Sequence, residues 1–124
     1  MREVIYEGFF INNGIKGRLE KDIELKHVTT EFRPKVTHEE LYGSTAVFEV
    51  IGYGNDSINE GYLVKPISGD AISLLDSVEV PHITLSVSTD GKPVDTKNLD
   101  FHPCERFQIN ATFNAFVGKW GRLW

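Results

Sequence analysis

The sequence predicts an α+β domain built mostly of antiparallel sheet, and three observations predict it. Short runs of β-branched and aromatic residues recur along the chain, each closed by a glycine, proline or asparagine turn. Successive runs are close enough for hairpins and few segments match a crossover helix, which favours antiparallel pairing. The 124 residues, 40% hydrophobic with 8 Phe, 4 Tyr and 2 Trp, suffice for one core but not for two ordinary domains. Residues 1–124 therefore read as a single domain.

The elements follow in order. Val4 to Ile11 is apolar and aromatic and stops at Asn12-Asn13-Gly14, so it reads as a strand ending in a turn. Leu25 to Phe32 is a second strand, closed by Arg33-Pro34. Thr37 stands three residues before Glu40, a capping-box pattern that predicts one or two helical turns before Gly43. Thr45 to Tyr53 and Tyr62 to Ile67 form a hairpin about Asn55-Asp56. Asp70 to Val78 is the best helix candidate, with Asp70 as its cap and Ile72, Leu75 and either Leu74 or Val78 on one face. Pro81 ends it. In His82 to Ser88 the residues Ile83, Leu85 and Val87 alternate with Thr84, Ser86 and Ser88, the pattern of a half-buried strand. Asp90-Gly91 is a tight turn, and Pro93 to Pro103 reads as irregular. Phe107, Ile109, Ala111, Phe113, Ala115 and Val117 then place one apolar face on a long strand, bent partway. The total is six strands and one or two short helices. No segment repeats closely by residue.

Charge and cysteine content narrow the function. Thirteen Lys+Arg against 18 Asp+Glu give a net charge of -5, which disfavours binding along a nucleic-acid backbone. A small pocket for one phosphate is not affected by that argument. The single cysteine, Cys104, has no intramolecular disulfide partner and no activating pattern around it, which fits a reducing compartment. No cationic-then-apolar leader opens the sequence, and no apolar run approaches the roughly 20 residues of a membrane span. A cytoplasmic protein without membrane contact is expected.

Two of the four histidines open the same pattern. His27-Val28-Thr29 and His82-Ile83-Thr84 both lie at or near the start of a predicted strand, 55 residues apart. Residues i and i+2 of a strand share a face. Each motif thus sets an imidazole beside a hydroxyl, with an aliphatic residue turned to the core. Facing each other, two such units supply phosphate chemistry. One neutral imidazole takes a proton from the attacking group while the other, protonated, donates to the leaving oxygen. The threonines donate to the non-bridging oxygens, where charge builds. No metal or other cofactor is needed, and a bell-shaped rate profile around neutrality is expected. Either motif alone is more often a strand-start histidine beside a structural threonine; the pair favours a site.

In these motifs the chain resembles the two-histidine (2H) phosphoesterases. Pro81-His82-Ile83-Thr84-Leu85 looks like that family's second motif, and Glu7-Gly8-Phe9-Phe10-Ile11 resembles its opening strand. Val47 to Tyr53 with Gly61 to Lys65 resembles the hairpin between the motifs, and Lys92-Pro93-Val94-Asp95 is more loosely similar to cyclic phosphodiesterase domains of tRNA ligases. The resemblance implies two antiparallel half-sheets related by a pseudo-twofold axis, with His27 and His82 catalytic and Thr29 and Thr84 substrate-binding in the groove between. It further implies a metal-independent phosphodiesterase. Its substrate is a small or cyclic nucleotide, such as the cyclic signals that phage enzymes cleave against host immunity, or a 2′,3′-cyclic phosphate at an RNA end in RNA repair. A non-catalytic nucleotide sponge or interaction module is the alternative from a different class. The spacing of the motifs is shorter than the family's, and the usual helix before His27 is missing or very small.

The remaining candidates carry less. His38 reads as solvent-exposed, and His102 falls in the irregular stretch. A zinc site from His102, Cys104 and a third ligand lacks a standard spacing. Lys16, Arg18, Arg33, Lys35 and Lys92 are basic residues of loops, Tyr53, Tyr62, Trp120 and Trp124 are aromatics able to stack a base, and the two tryptophans are suited to docking on the body or a second subunit. Gly14-Ile15-Lys16-Gly17, Gly52-Tyr53-Gly54 and Asp90-Gly91 read as turns.

Overall fold

The alternation of apolar and polar residues becomes an antiparallel sheet in a computed structural model, which describes residues 3–12 and 14–118 and the backbone of Gly121 and Arg122. Its strands are β1 Val4–Ile11, β2 Lys21–Asp22, β3 His27–Phe32, β4 Thr45–Asn55, β5 Asn59–Gly69, β6 His82–Val87, β7 His102–Val117 and β8 Gly121–Arg122. They form one hydrogen-bonded sheet in the order β2-β6-β5-β4-β7-β1-β3, with β8 on β7, and every ladder is antiparallel. The predicted half-sheets are therefore joined, β4 pairing with β7 at the seam. Phe9, Val28, Phe48, Ile83, Ile109 and Phe113 share the core. Trp120 and Trp124 lie outside the described residues.

Several elements differ from the expected ones. The two predicted helices shrink to 3₁₀ turns, Glu39–Leu41 and Ile72–Leu75, and neither has a side-chain cap. The residue flanking the first turn is His38 rather than Thr37, and its backbone N–H donates to Glu7 Oε2 at 2.8 Å. The segment at 70–78 buries Ala71 and Leu75 and packs Ile72, Leu74 and Val78 against the core, but it is too short before Pro81 to repay the costly nucleus of an α-helix. Pro93 to Pro103 is not irregular. It holds a 3₁₀ turn, Pro93–Asn98, and the start of β7. Gly52-Tyr53-Gly54 lies inside β4 rather than in a turn. The long strand extends the predicted Phe107 to Val117 back to His102, and the β4–β7 register shifts between Val50 and Gly52, before Phe107.

Connectivity forces the sheet to curl. β2 lies on the β6 edge and β3 on the opposite edge, yet the backbone N–H of Ile23 still bonds Leu85 on β6 while the carbonyl of Lys26 already accepts from Ile11 on β1. Those two residues are three peptide steps apart, at most about 11 Å. The opposite edges of the sheet must meet within that reach, and β3 lies alongside β6. Lys26 fixes the crossing, donating to Asp22 Oδ1 at 2.9 Å and to the Ile23 carbonyl at 2.6 Å.

The structure also exposes a repeat that the sequence reading passed over. Glu7-Gly8-Phe9-Phe10-Ile11 on β1 corresponds to Glu60-Gly61-Tyr62-Leu63-Val64 on β5. Gly8 pairs with Thr29, and Gly61 with Thr84. Both ladders slip at the Glu–Gly step, leaving one extra residue after each motif threonine, a bulge of the kind that re-aims side chains beside a site. The glycines are required by close approach. A Cβ on Gly8 would fall against the Val28 carbonyl, and one on Gly61 would lie 2.7 Å from the Ile83 carbonyl. The set β7-β1-β3 thus matches β4-β5-β6 about the seam, as a permuted duplicate.

The repeated glutamates are both buried. Glu7 accepts from the His38 backbone N–H and from His38 Nδ1, both at 2.8 Å, and from the Tyr42 hydroxyl at 2.7 Å. Glu60 accepts from the Arg18 backbone N–H and the Ser86 hydroxyl, both at 2.7 Å, and from the Tyr53 hydroxyl. Each carboxylate thereby ties a connecting loop to the strand that faces a motif. His38 is not simply exposed, as expected from the sequence; its ring is bound to Glu7, which raises its pKa.

Candidate active site

A cavity of about 810 Å³ lies where β3 meets β6, and His27, Thr29, His82 and Thr84 all line it. The four residues predicted for the site are thus brought together. Strand alternation does this: Val28 and Ile83, between the histidine and threonine of each motif, are fully buried in the core on the other face.

The two histidines are held in the same way. His27 Nδ1 lies 2.7 Å from the Leu25 carbonyl, and His82 Nδ1 lies 2.7 Å from the Val80 carbonyl. A carbonyl only accepts, so Nδ1 carries the proton at both positions and Nε2 is left as the basic nitrogen. A carbonyl held against Nδ1 in this way fixes the tautomer as well as the ring orientation. Burial lowers the pKa of both rings. The carbonyl bonds oppose that shift, while the charge of His82 lowers His27 further and Lys97 lowers His82. The rings therefore exchange protons on the acid side of the ordinary histidine value of about 6.5, rather than around neutrality.

Their surroundings differ. The Tyr6 ring stacks on His27, centroids 4.4 Å apart, and on Phe116 at 5.2 Å. Phe10, the cross-strand partner of His27, packs on its other side at 5.7 Å. Among the described residues His82 has no such aromatic backing; beside it lie Thr84 and Lys97.

Lys97 is the only Lys or Arg among the described lining residues, against Glu31 and Glu79. None of Lys16, Arg18, Arg33, Lys35 and Lys92 lines the cavity. Arg33 pairs with Glu3, and the Arg18 backbone is bound by Glu60. Tyr53 and Tyr62 do not line it either; they pack on each other, with Tyr62 against Phe107. The aromatics that do are Tyr6, Phe32 and Phe116, and the walls are otherwise mostly aliphatic. Sequence reasoning missed Tyr6 because it sits on the strand paired with His27, and missed Lys97 because its segment read as irregular. Among the described residues no three His, Cys, Asp or Glu side chains group as metal ligands. His102 is exposed at the start of β7.

A second cleft of about 630 Å³ lies away from the histidines, between Asn12, Thr45, Ser68 and Asp70. It holds no histidine. No helix among the described residues is long and apolar enough to cross a membrane. Neither protein-family models nor curated proteins give a match to this chain.

Proposed function

We propose that the protein is a metal-independent phosphodiesterase that hydrolyses a small or cyclic nucleotide by two-histidine acid–base catalysis, in the manner of the 2H phosphoesterases. One observation carries the reading. Two His-x-Thr motifs 55 residues apart line one cavity, and both histidines are fixed as Nδ1–H tautomers with Nε2 as the reactive nitrogen. The duplicated Glu–Gly bulges behind them fit the pseudo-twofold arrangement of that family. A binder has no need of two proton-transfer groups, which argues against a sponge.

The chemistry balances with these residues alone. A water attacks phosphorus as the neutral imidazole removes its proton through Nε2. The bond from phosphorus to the leaving oxygen breaks as the protonated imidazole supplies a proton to that oxygen. The histidines finish with exchanged protonation states and re-equilibrate with solvent. The motif threonines donate to the non-bridging oxygens.

The walls speak for the substrate class. A single lysine, set against Glu31 and Glu79 among apolar and aromatic residues, suits at most one phosphate attached to flat, weakly polar groups. It does not suit a long polyanion, which needs many cationic contacts. A small cyclic nucleotide, which sets one phosphate at the histidines at a time, fits better than an RNA end, and we propose an anti-immune role where that nucleotide is a cyclic di- or oligonucleotide signal. The test is incubation of purified protein, in excess EDTA, with a panel of cyclic dinucleotides, cyclic oligonucleotides, 2′,3′-cyclic mononucleotides and RNA ending in a 2′,3′-cyclic phosphate. Hydrolysis of a cyclic nucleotide signal is expected. Preference for RNA ends would reassign the substrate to RNA repair. Activity that EDTA abolishes would contradict the mechanism, and tight nucleotide binding without turnover would favour the sponge.

A further inference from the structure

The two halves match through Glu–Gly and His-x-Thr, and they diverge one residue earlier. Before Glu7 stands Tyr6, which stacks on His27. Before Glu60 stands Asn59, buried, whose Nδ2 donates to the Lys92 carbonyl at 2.7 Å and to Thr96 Oγ1 at 3.0 Å. Thr96 is fully buried, and its Oγ1 lies 2.9 Å from Thr84 Oγ1. Thr84 Oγ1 is also 3.3 Å from the Pro93 carbonyl. The next residue, Lys97, lines the cavity. Among the described residues no chain of this kind backs Thr29, and in the first half Thr30 instead donates to the Glu7 carbonyl at 3.1 Å.

From this asymmetry we infer that the second half anchors the phosphate. Asn59 and Thr96 are positioning residues that turn Thr84 into its principal hydroxyl donor, and Lys97 supplies the adjacent charge. The inference rests on the phosphodiesterase reading and deepens it. The Asn59 amide only donates to Thr96 Oγ1, so the Thr96 proton is available to Thr84. Two hydroxyls 2.9 Å apart share their bond in either direction. At rest Thr84 donates to Thr96 or to the Pro93 carbonyl. When a phosphate oxygen arrives, Thr96 donates to Thr84 and the Thr84 proton turns to the phosphate. The switch needs only the rotation of two hydroxyl groups.

The test is a double-mutant cycle on the full chain. Thr84→Ala is expected to lower kcat roughly a hundredfold and Thr29→Ala roughly tenfold. Thr96→Val is expected to lower kcat about tenfold and to raise KM up to about fivefold, because Thr84 donates to the phosphate in the bound state and more strongly in the transition state. On the Thr84→Ala background the same change should cost less than about twofold. Thr96→Ser, which keeps the hydroxyl, should restore kcat to within about twofold of the original. Equal losses from Thr96→Val on both backgrounds would reduce Thr96 to a structural role and overturn the inference. So would an unchanged kcat, or a Thr29→Ala loss as large as that of Thr84→Ala. If the unmodified protein turns over nothing in the panel, the phosphodiesterase reading fails by itself. The relay is then read from inorganic phosphate binding by ³¹P NMR. Thr96→Val weakening that binding about fivefold would support the relay, and unchanged binding would overturn it.

Discussion

Replacing His27 or His82 with alanine is expected to lower turnover by roughly 10²–10⁴ in each case, the range for loss of a positioned acid or base. The double variant should be little worse than the poorer single one, because both imidazoles act in one displacement. Initial rates on the best substrate of the panel measure this. His102→Ala is the internal control, since His102 is exposed at the start of β7 and away from the cavity. A loss from His102→Ala as large as that from His82→Ala, with folding preserved, would place the chemistry elsewhere. His38 serves less well as a control, because its backbone N–H and ring are both held by Glu7.

Those ties underlie the second large effect. Glu7→Ala and Glu60→Ala are each expected to destabilise the fold by about 3–5 kcal/mol, the cost of removing one member of a buried bonded set and stranding its donors. Glu7 would strand three donors from His38 and Tyr42, and Glu60 three from Arg18, Tyr53 and Ser86. Urea denaturation followed by tyrosine and tryptophan fluorescence measures the loss. The two effects should be similar, because the halves use equivalent carboxylates at equivalent bulges. A change below about 1 kcal/mol in either would mean that water or a shifted loop replaces the carboxylate.

What the sequence discloses follows from how local each signal is. The alternation in β7 and the motif on β6 are written in consecutive residues, and both strands appear where that alternation predicts. Helix signals at Thr37 and Asp70 were also local, but each yields only a 3₁₀ turn. His38 gives its backbone N–H to Glu7, 31 positions away, and the short segment after Asp70 packs Ala71, Ile72, Leu74, Leu75 and Val78 on the core before Pro81 ends it. β2 has only two residues and no apolar pattern, yet its pairing with β6 is what brings β3 across. The site histidines and threonines were legible because the same three-residue word occurs twice. Tyr6, Thr96 and Lys97 were not, since they reach the site through strand pairing and a 3₁₀ turn. One longer-range signal was available: Glu–Gly followed by three apolar residues, 20 positions before His27 and 22 before His82.

The central claim is that imidazoles from two separate halves act through Nε2 on one phosphate. Nitrogen-15 NMR of the histidine rings tests it most directly, with pH titrated in the absence and presence of a nucleoside monophosphate. His27 and His82 should both appear as Nδ1–H tautomers and titrate at Nε2 below about 6.5, as their burial dictates. The phosphate anion should raise both values together, because an opposite charge favours the protonated ring, and leave His102 unmoved. Titration at Nδ1, or a phosphate response from only one of the two rings, would contradict the account.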